Sequence, residues 1–307
     1  MIFRFGRPPG QTEFSAPVRA AFWITLAGVL FTATITSVRQ VTPDLHVFEA
    51  VMFRSLFGIV FMVPWLIRRG ISRMRTRKIG LLAIRGSLAF FVTTLYFWAA
   101  TMMPLADLVS ITFTRPIMGT IAAVLFLHEV ARARRWSAIA VGFIGMLIIV
   151  RPGFATLNVG MLMVLGGVCF QTCNTIIVKT LTRTEQSDTI ALYHTLFILP
   201  LSIIPAIIFW KTPTLTQLGW LVAVGGAGIM TQRAMTRAFA AADASYVLAL
   251  SYLRLPIAAL IGFAVFGEVP VIWVWIGGAV IAGSSTYIAR REAVNAREEA
   301  ASQKIGQ

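Results

Sequence analysis

Long apolar runs separated by short polar segments extend along almost the whole of this 307-residue chain. Each run is roughly 20 residues long, which is the length that an α-helix needs to cross the hydrocarbon core of a bilayer. The pattern predicts an all-α integral membrane fold with ten transmembrane helices. The predicted spans are 19–37, 47–67, 79–98, 105–127, 134–150, 158–178, 190–210, 215–235, 244–266 and 270–288.

The composition agrees with a membrane protein and excludes an ordinary soluble domain. Hydrophobic residues make up 57% of the chain and charged residues 13%, whereas about a quarter of the residues of a soluble domain are charged. Glycine recurs inside the predicted spans, as at Gly166, Gly167, Gly225 and Gly228, and small residues of this kind let helices pack closely in lipid. A compact bundle is therefore expected.

The basic residues give the predicted orientation. The net charge of +15 would suggest a nucleic acid partner in a soluble protein, but its distribution indicates the lipid bilayer instead. With the N-terminus inside, most basic residues lie in cytoplasmic segments, and only Arg39, Arg151 and Lys211 lie outside. The positive-inside rule then predicts that both termini are cytoplasmic, with residues 1–18 and 290–307 as the two tails.

A spaced signature occurs twice in the chain and indicates two related halves. It consists of Arg115, Glu129, Val130 and Trp136, and 139 positions later of Arg254, Glu268, Val269 and Trp275. Five spans per half is an odd number, so the second half crosses the membrane in the opposite direction. We predict two inverted five-helix repeats, residues 19–150 and 151–289. Many secondary transporters use this architecture to open a central site to each side alternately.

Several short segments, in this order and topology, resemble the bacterial EamA-type members of the drug/metabolite transporter superfamily. The resemblance covers nearly the whole chain. The segments that carry it are 53–58 (FRSLFG), 64–65 (PW), 104–106 (PLA), 110–116 (SITFTRP), 126–129 (FLHE), 142–145 (GFIG), 151–153 (RPG), 252–256 (YLRLP) and 266–268 (FGE).

This resemblance implies a secondary transporter of the bacterial inner membrane that moves a small organic metabolite by alternating access. The cavity would be lined by the first, third, fourth, sixth, eighth and ninth helices, with the fifth and tenth to one side, where relatives often form a homodimer contact. Family cargoes include amino acids, flavins, nucleoside- or S-adenosylmethionine-like compounds and metallophores. An anionic, zwitterionic or planar cargo is expected, while its identity, its direction of movement and the coupling ion stay open.

Arg115 and Arg254 are the main candidates for contact with the cargo. A charged side chain at the bilayer centre costs at least about 2.5 kcal/mol on insertion scales, so it normally faces the bundle interior. No acidic residue is predicted at their depth, and two such guanidinium groups would suit a carboxylate, a phosphate or a carbonyl-rich ring. Alternatively, each arginine donates to backbone carbonyls that Pro116 and Pro256 leave free.

Further polar and aromatic residues could complete the cavity wall, since aromatic faces and amide groups hold flat or zwitterionic solutes. These candidates are Tyr96, Trp98, Gln171, Asn174, Gln232, Tyr246, Ser251 and Tyr252. Alternatively, the amides join helices and the aromatics mark the membrane interface. Pro116, Pro256, Glu129 and Glu268 are candidates for gates or hinges. Arg54 and Arg85 lie nearer to span ends, where long side chains can reach the headgroups.

Other chemistry finds little support in the sequence. His46, His128 and His194 are isolated from one another in the predicted topology, so no metal site is expected. Cys169 and Cys173 are expected to pack in the core. Since no phosphate-binding loop or hydrolase motif occurs, neither a cofactor nor an enzymatic activity is predicted. The alternatives to a transporter are an intramembrane enzyme and a sensor or scaffold.

Overall fold

The computed structural model is all-helical, without strands, over the residues that it describes. These residues are 16–70, 74, 76–112, 114–115, 118, 137, 140–141, 143–145, 147–148, 159–241, 247, 251, 254–280, 282–284 and 287. The helices are α1 Ala16–Val41, α2 Val47–Arg69, α3 Ile79–Met102, α4 Leu105–Thr112, α5 Val159–Leu181, α6 Ser187–Ile208, α7 Leu215–Ala241 and α8 Arg254–Phe266. A further helical segment follows at 272–280.

Five helices of the described part, α1, α2, α3, α5 and α6, are long and apolar enough to cross a membrane. Helix α7 has 27 residues, but its second half carries Gln232, Arg233 and Arg237. Helix α8 and segment 272–280 are shorter and apolar. Most of the predicted fourth and fifth spans lie outside the described residues, so the count of ten remains a prediction.

A capping box fixes the start of α2. The Nδ1 atom of His46 accepts from the Phe48 N–H at 3.3 Å, and a carboxylate oxygen of Glu49 accepts from the His46 N–H at 3.1 Å. Such reciprocal bonds satisfy N–H groups that have no partner within the helix. The other carboxylate oxygen of Glu49 accepts from the Lys211 N–H at 3.3 Å, so this buried acid also joins α2 to the α6–α7 loop.

The turn between α1 and α2 has the same backbone hydrogen bonds as the turn between α5 and α6. The Leu45 N–H donates to the Val41 carbonyl at 3.0 Å, and 140 positions later the Glu185 N–H donates to the Leu181 carbonyl at 2.8 Å. The two helix pairs are thus connected in the same way.

Helix packing follows a regular scheme when the helices are numbered within each half. Helix α1 packs most closely on α7, as α3 does on α5, and α2 packs on α7 as α6 does on α3. Other large contacts join α2 to α6, α6 to α7 and α4 to α8. Exchanging α1, α2, α3 and α4 with α5, α6, α7 and α8 therefore returns the same principal contacts.

The outer surface of the bundle is apolar. Large hydrophobic side chains such as Ile67, Ile204 and Leu260 are exposed, as expected where lipid rather than water surrounds the protein. Cys169 and Cys173 are also exposed, so the expectation that they pack in the core was wrong. An apolar environment in this fold is available on the lipid-facing surface as well as in the core.

Glycine permits the close approach of α2 and α7. A Cβ atom at Gly225 would lie 2.4 Å from the Cβ of Phe57 and 3.2 Å from the backbone nitrogen of Gly58. No flexible chain end is involved, so the helices themselves would have to separate. At Gly219 on the same helix, no atom lies within 4 Å of the corresponding position.

We therefore expect Gly225→Ala to destabilise the bundle by about 1–3 kcal/mol, the usual cost of overpacking. The measurement is the thermal unfolding midpoint of the purified protein in detergent. Gly219→Ala is the matched control and should leave the midpoint unchanged or slightly higher, because alanine favours helix. Equal unfolding midpoints for the two variants would contradict the close approach of α2 and α7 at Gly225.

Candidate functional site

A cavity of about 80 Å³ lies between α1, α2, α3, α5, α7 and α8. Five of the residues predicted from the sequence line it together: Tyr96, Arg115, Gln171, Gln232 and Arg254. They come from both halves of the chain and are up to 158 positions apart in sequence. The volume is enough for several water molecules, but it is far below the 300–1,000 Å³ that is typical of a pocket for a drug-sized ligand.

Arg254, the first residue of α8, is 5% exposed. Its guanidinium carbon lies 4.7 Å from the centre of the Phe31 ring, a cation–π contact. Among the residues that the structure describes, neither its Nε nor its Nη2 has a hydrogen-bond partner. The side chain is therefore held in place by packing, with two donors left free for another molecule.

Arg115 and Tyr96 stand on the same side of the cavity. Both Arg115 and Arg254 are close enough to act electrostatically on the Tyr96 hydroxyl. The Tyr96 ring occupies space left by Gly167, whose Cβ position would be 2.5 Å from the ring. Helix α5 thus needs glycine at this point to admit the aromatic wall.

Arg54 and Arg85 do not reach the membrane surface, and this corrects the expectation that they extend toward headgroups. Arg54 is 7% exposed and lines the cavity, while Arg85 is 1% exposed. Arg85 donates from Nη1 to the Ile190 carbonyl at 2.9 Å and from Nη2 to Oε1 of Gln232 at 3.4 Å. Arg54 is on α2, which packs against α6 and α7, and Arg85 is on α3, which packs against α6. The bundle interior is therefore their nearest environment.

Among the described residues, three further predicted wall residues, Trp98, Asn174 and Ser251, do not line this cavity. Trp98 belongs to an aromatic group with His46 and Phe48, at ring distances of 5.7 and 5.5 Å. Asn174 is buried but does not line the cavity, and Ser251 is half-buried. Tyr246, Tyr252, Pro116 and Glu129 lie outside the described residues, as does the side chain of Pro256.

Phe31 and Thr34 also line the cavity but were missed by sequence reasoning. Phenylalanine and threonine are common in membrane helices, so neither residue stands out by type. The repeat carries a usable signal, because these residues precede Gln171 and Asn174 by the same 140 positions that separate the two matching turns.

Glu268 joins three segments at the α8 end of the bundle. One carboxylate oxygen pairs with Arg39 at the end of α1, and the other accepts from the Leu105 N–H at 3.0 Å. The second bond caps the N-terminus of α4, where a negative charge is favourable. Arg39 also lies over the Phe266 ring at 4.2 Å. Gly267 directly precedes this glutamate and has a φ of 67°, a backbone conformation that glycine adopts readily.

The sequence is similar to those of known membrane transporters, and the fold is similar to that of a solved structure. A family model described as the EamA-like transporter family matches residues 18–151. A riboflavin transporter of Vibrio cholerae serotype O1 is 33% identical, over 92% of this chain and 97% of that protein. An S-adenosylmethionine uptake transporter of Rickettsia bellii is 28% identical, over 92% and 96%. A solved crystal structure superimposes with a TM-score of 0.62 at 19% identity, over 90% of this chain and 98% of that one.

The unsatisfied donors of Arg254 predict an unusual stability effect. Replacing a buried charged group by an apolar residue of similar volume is often neutral or stabilising, so Arg254→Met should raise the stability of the solute-free protein by about 1 kcal/mol or more. The midpoint of thermal unfolding measures this. Arg68→Met, at an exposed position on α2, should change the free energy of unfolding by less than about 0.5 kcal/mol. A marked loss of stability in Arg254→Met would instead assign the arginine a structural role.

Proposed function

The chain belongs to the EamA-like transporter family and moves a small metabolite across the bacterial inner membrane, and we propose that this metabolite is a flavin such as riboflavin. The observation that carries this proposal is the lining of the cavity. It combines the guanidinium groups of Arg54, Arg115 and Arg254 with aromatic side chains and two glutamine amides.

The chemistry of a flavin matches these groups. Its fused ring is flat and can pack on aromatic faces such as those of Phe31 and Tyr96. Its ring carbonyls accept hydrogen bonds, and arginine offers donors in a planar fork and no acceptor. The hydroxyl groups of its side chain both donate and accept, as do the amides of Gln171 and Gln232.

The charge of the cavity argues against S-adenosylmethionine, the cargo named for the Rickettsia relative. That molecule has a positive sulfonium centre, a positive ammonium group and one carboxylate, so its net charge is positive. The described lining contains three arginines and no carboxylate, and like charges in a poorly solvated site repel strongly. A neutral carbonyl-rich ring or an anion suits this environment better. In this proposal the protein moves the cargo without changing it chemically.

We further propose that the chain consists of two inverted repeats, residues 19–150 and 151–289, with both chain ends cytoplasmic. Movement of the repeats against each other opens the cavity alternately to the two sides of the membrane. The exchange of packing partners between the halves and the matching turns support this architecture. The small cavity volume also supports it, because a flavin-sized solute requires the helices to move apart. The same proposal includes contact between two copies of the chain through the fifth and tenth predicted spans, residues 134–150 and 270–288.

Glu268 serves in this scheme as the outer closure. Its bonds to Arg39 and to the Leu105 N–H hold the ends of α1, α4 and α8 together. Opening toward the outside would separate these ends, so the ion pair must break during each cycle. Since both side chains are partly exposed, water can solvate the charges once they part.

The cargo proposal is tested by counterflow of labelled riboflavin in proteoliposomes. The wild-type chain should accelerate exchange, and unlabelled S-adenosylmethionine should compete poorly. Arg115→Gln and Arg254→Gln should each reduce the rate about 10-fold or more, since a hydrogen bond to a charged group contributes about 1.5–3 kcal/mol. Arg68→Gln is the matched surface control and should retain the wild-type rate. Unaltered exchange in both cavity variants would remove the binding role of these arginines.

The closure proposal is tested by cysteine labelling from outside in a variant with Cys169→Ser, Cys173→Ser and Thr34→Cys. Position 34 is buried in the cavity wall, so an impermeant maleimide should react slowly. Adding Glu268→Gln should raise the labelling rate several-fold, because the amide loses the charge that attracts Arg39.

The matched control is Glu185→Gln, because Glu185 accepts a hydrogen bond from Thr76 between other segments. Labelling at position 34 should not change in this control. An equal rate with and without Glu268→Gln would show that the pair with Arg39 does not limit access to the cavity.

A further inference from the structure

A group of buried basic side chains lies behind the cavity wall, between α2, α3, α6 and α7. It consists of Arg54, Arg85 and His194, with Gln232 at the boundary to the cavity. We propose that this group is a binding site for a small inorganic anion, with chloride as the representative ligand. The site shares Arg54 and Gln232 with the cavity wall, whereas Arg85 and His194 lie behind that wall, and it does not depend on the identity of the cargo.

The first argument is the set of donors that lack a partner. His194 is 2% exposed, and in the described part of the chain neither of its ring nitrogens has a hydrogen-bond partner. The Nε of Arg85 is likewise without one. An imidazole carries at least one N–H and a guanidinium five, so buried donors outnumber acceptors here. Leaving a buried donor unsatisfied is energetically costly, because the group has lost its hydrogen bonds to water.

The second argument is the absence of a compensating acid. Among the residues with described positions, Asp188 is the carboxylate on α6 nearest in sequence to His194. It is engaged by Arg233 at 2.7 Å and by Arg237 at 3.3 Å. Glu49 caps α2 and accepts from the α6–α7 loop. Arg54 and Arg85 are therefore two buried positive charges without a described counter-charge, and a buried charge normally requires one.

The third argument concerns position. Arg54 and Arg85 both lie close enough to His194 to act on it electrostatically, so the three side chains converge on one region. Arg54 faces the cavity, but Arg85 and His194 are not part of its lining. A large cargo in the cavity would therefore not reach the Arg85 and His194 donors, so a ligand that satisfies them must be small. This separation favours an inorganic anion over an acidic group of the cargo.

The site also connects the two halves of the chain. Arg54 and Arg85 belong to α2 and α3, while His194 and Gln232 belong to α6 and α7. Arg85 already donates to the Ile190 carbonyl across this boundary. An anion held by both sides would stabilise the packing present in this structure, so anion binding should be visible as a gain in stability.

The test is thermal unfolding of the purified full-length protein without flavin, in sodium chloride or sodium gluconate at equal ionic strength. Chloride at about ten times its dissociation constant should raise the midpoint by roughly 2 °C, in a saturable manner. Arg85→Gln should abolish this chloride effect. The matched control Arg237→Gln, which leaves the Arg233–Asp188 pair in place, should retain it.

If Arg85→Gln does not yield folded protein, His194→Leu replaces it and should weaken the apparent chloride affinity several-fold. Crystals grown in bromide should show an anomalous peak between Arg85 and His194. A chloride effect equal in wild type and variants, or a map without that peak, would overturn the proposal. Because no flavin is present, this outcome is distinguishable from a failure of the flavin proposal, which the counterflow assay measures.

Discussion

The interior of this bundle is organised around buried guanidinium groups that have no described carboxylate partner. In a low-dielectric environment such a group is expensive, and single charges in membrane helices are tolerated where the bundle interior or a water-filled space receives them. Arg85 is satisfied in part by the Ile190 carbonyl and by Gln232. Arg254 finds an aromatic face in Phe31 but keeps two donors free. The remaining deficit is the physical reason to expect a polar or anionic molecule inside.

Close packing keeps these charges in place. Gly225 lets α7 approach the backbone of α2, Gly167 admits the Tyr96 ring, and Gly28 lies beside the Arg254 stem with a Cβ position 3.6 Å from the Cβ of the arginine. In lipid the hydrophobic effect does not drive helices together, so such contacts must provide the association through van der Waals packing. The same glycines leave little free space, which explains a cavity smaller than the solutes that the family carries. In the proposed transport cycle, a solute larger than this cavity therefore enters only when the closely packed helices move apart.

The sequence predicted the helical class, most helix positions and five residues of the cavity wall, because apolar length and the cost of intramembrane charge are strong local signals. It did not predict the burial of Arg54 and Arg85, since the direction of a side chain depends on how its helix is rotated against its neighbours. The aromatic group around Trp98 and the exposure of Cys169 follow from the same rotation. In the sequence Glu49 is only an acid near the start of a span, whereas in the structure its carboxylate caps α2 and binds a loop. Such roles require the three-dimensional neighbours that hydropathy alone does not provide.

The two walls of the cavity differ although the helix packing repeats. In the proposed repeat, Arg115 and Arg254 are equivalent positions and keep the same side chain. Phe31 corresponds to Gln171 at an offset of 140, and Tyr96 to Gln232 at an offset of 136, which also separates the matching backbone hydrogen bonds at the starts of α3 and α7. One half therefore contributes aromatic faces and the other contributes amides. A solute with a flat ring at one end and a hydroxyl-rich chain at the other would meet both walls in a single orientation. In the proposed transport cycle, the duplicated helices allow alternating access, and the difference in side chains between the halves provides the selectivity.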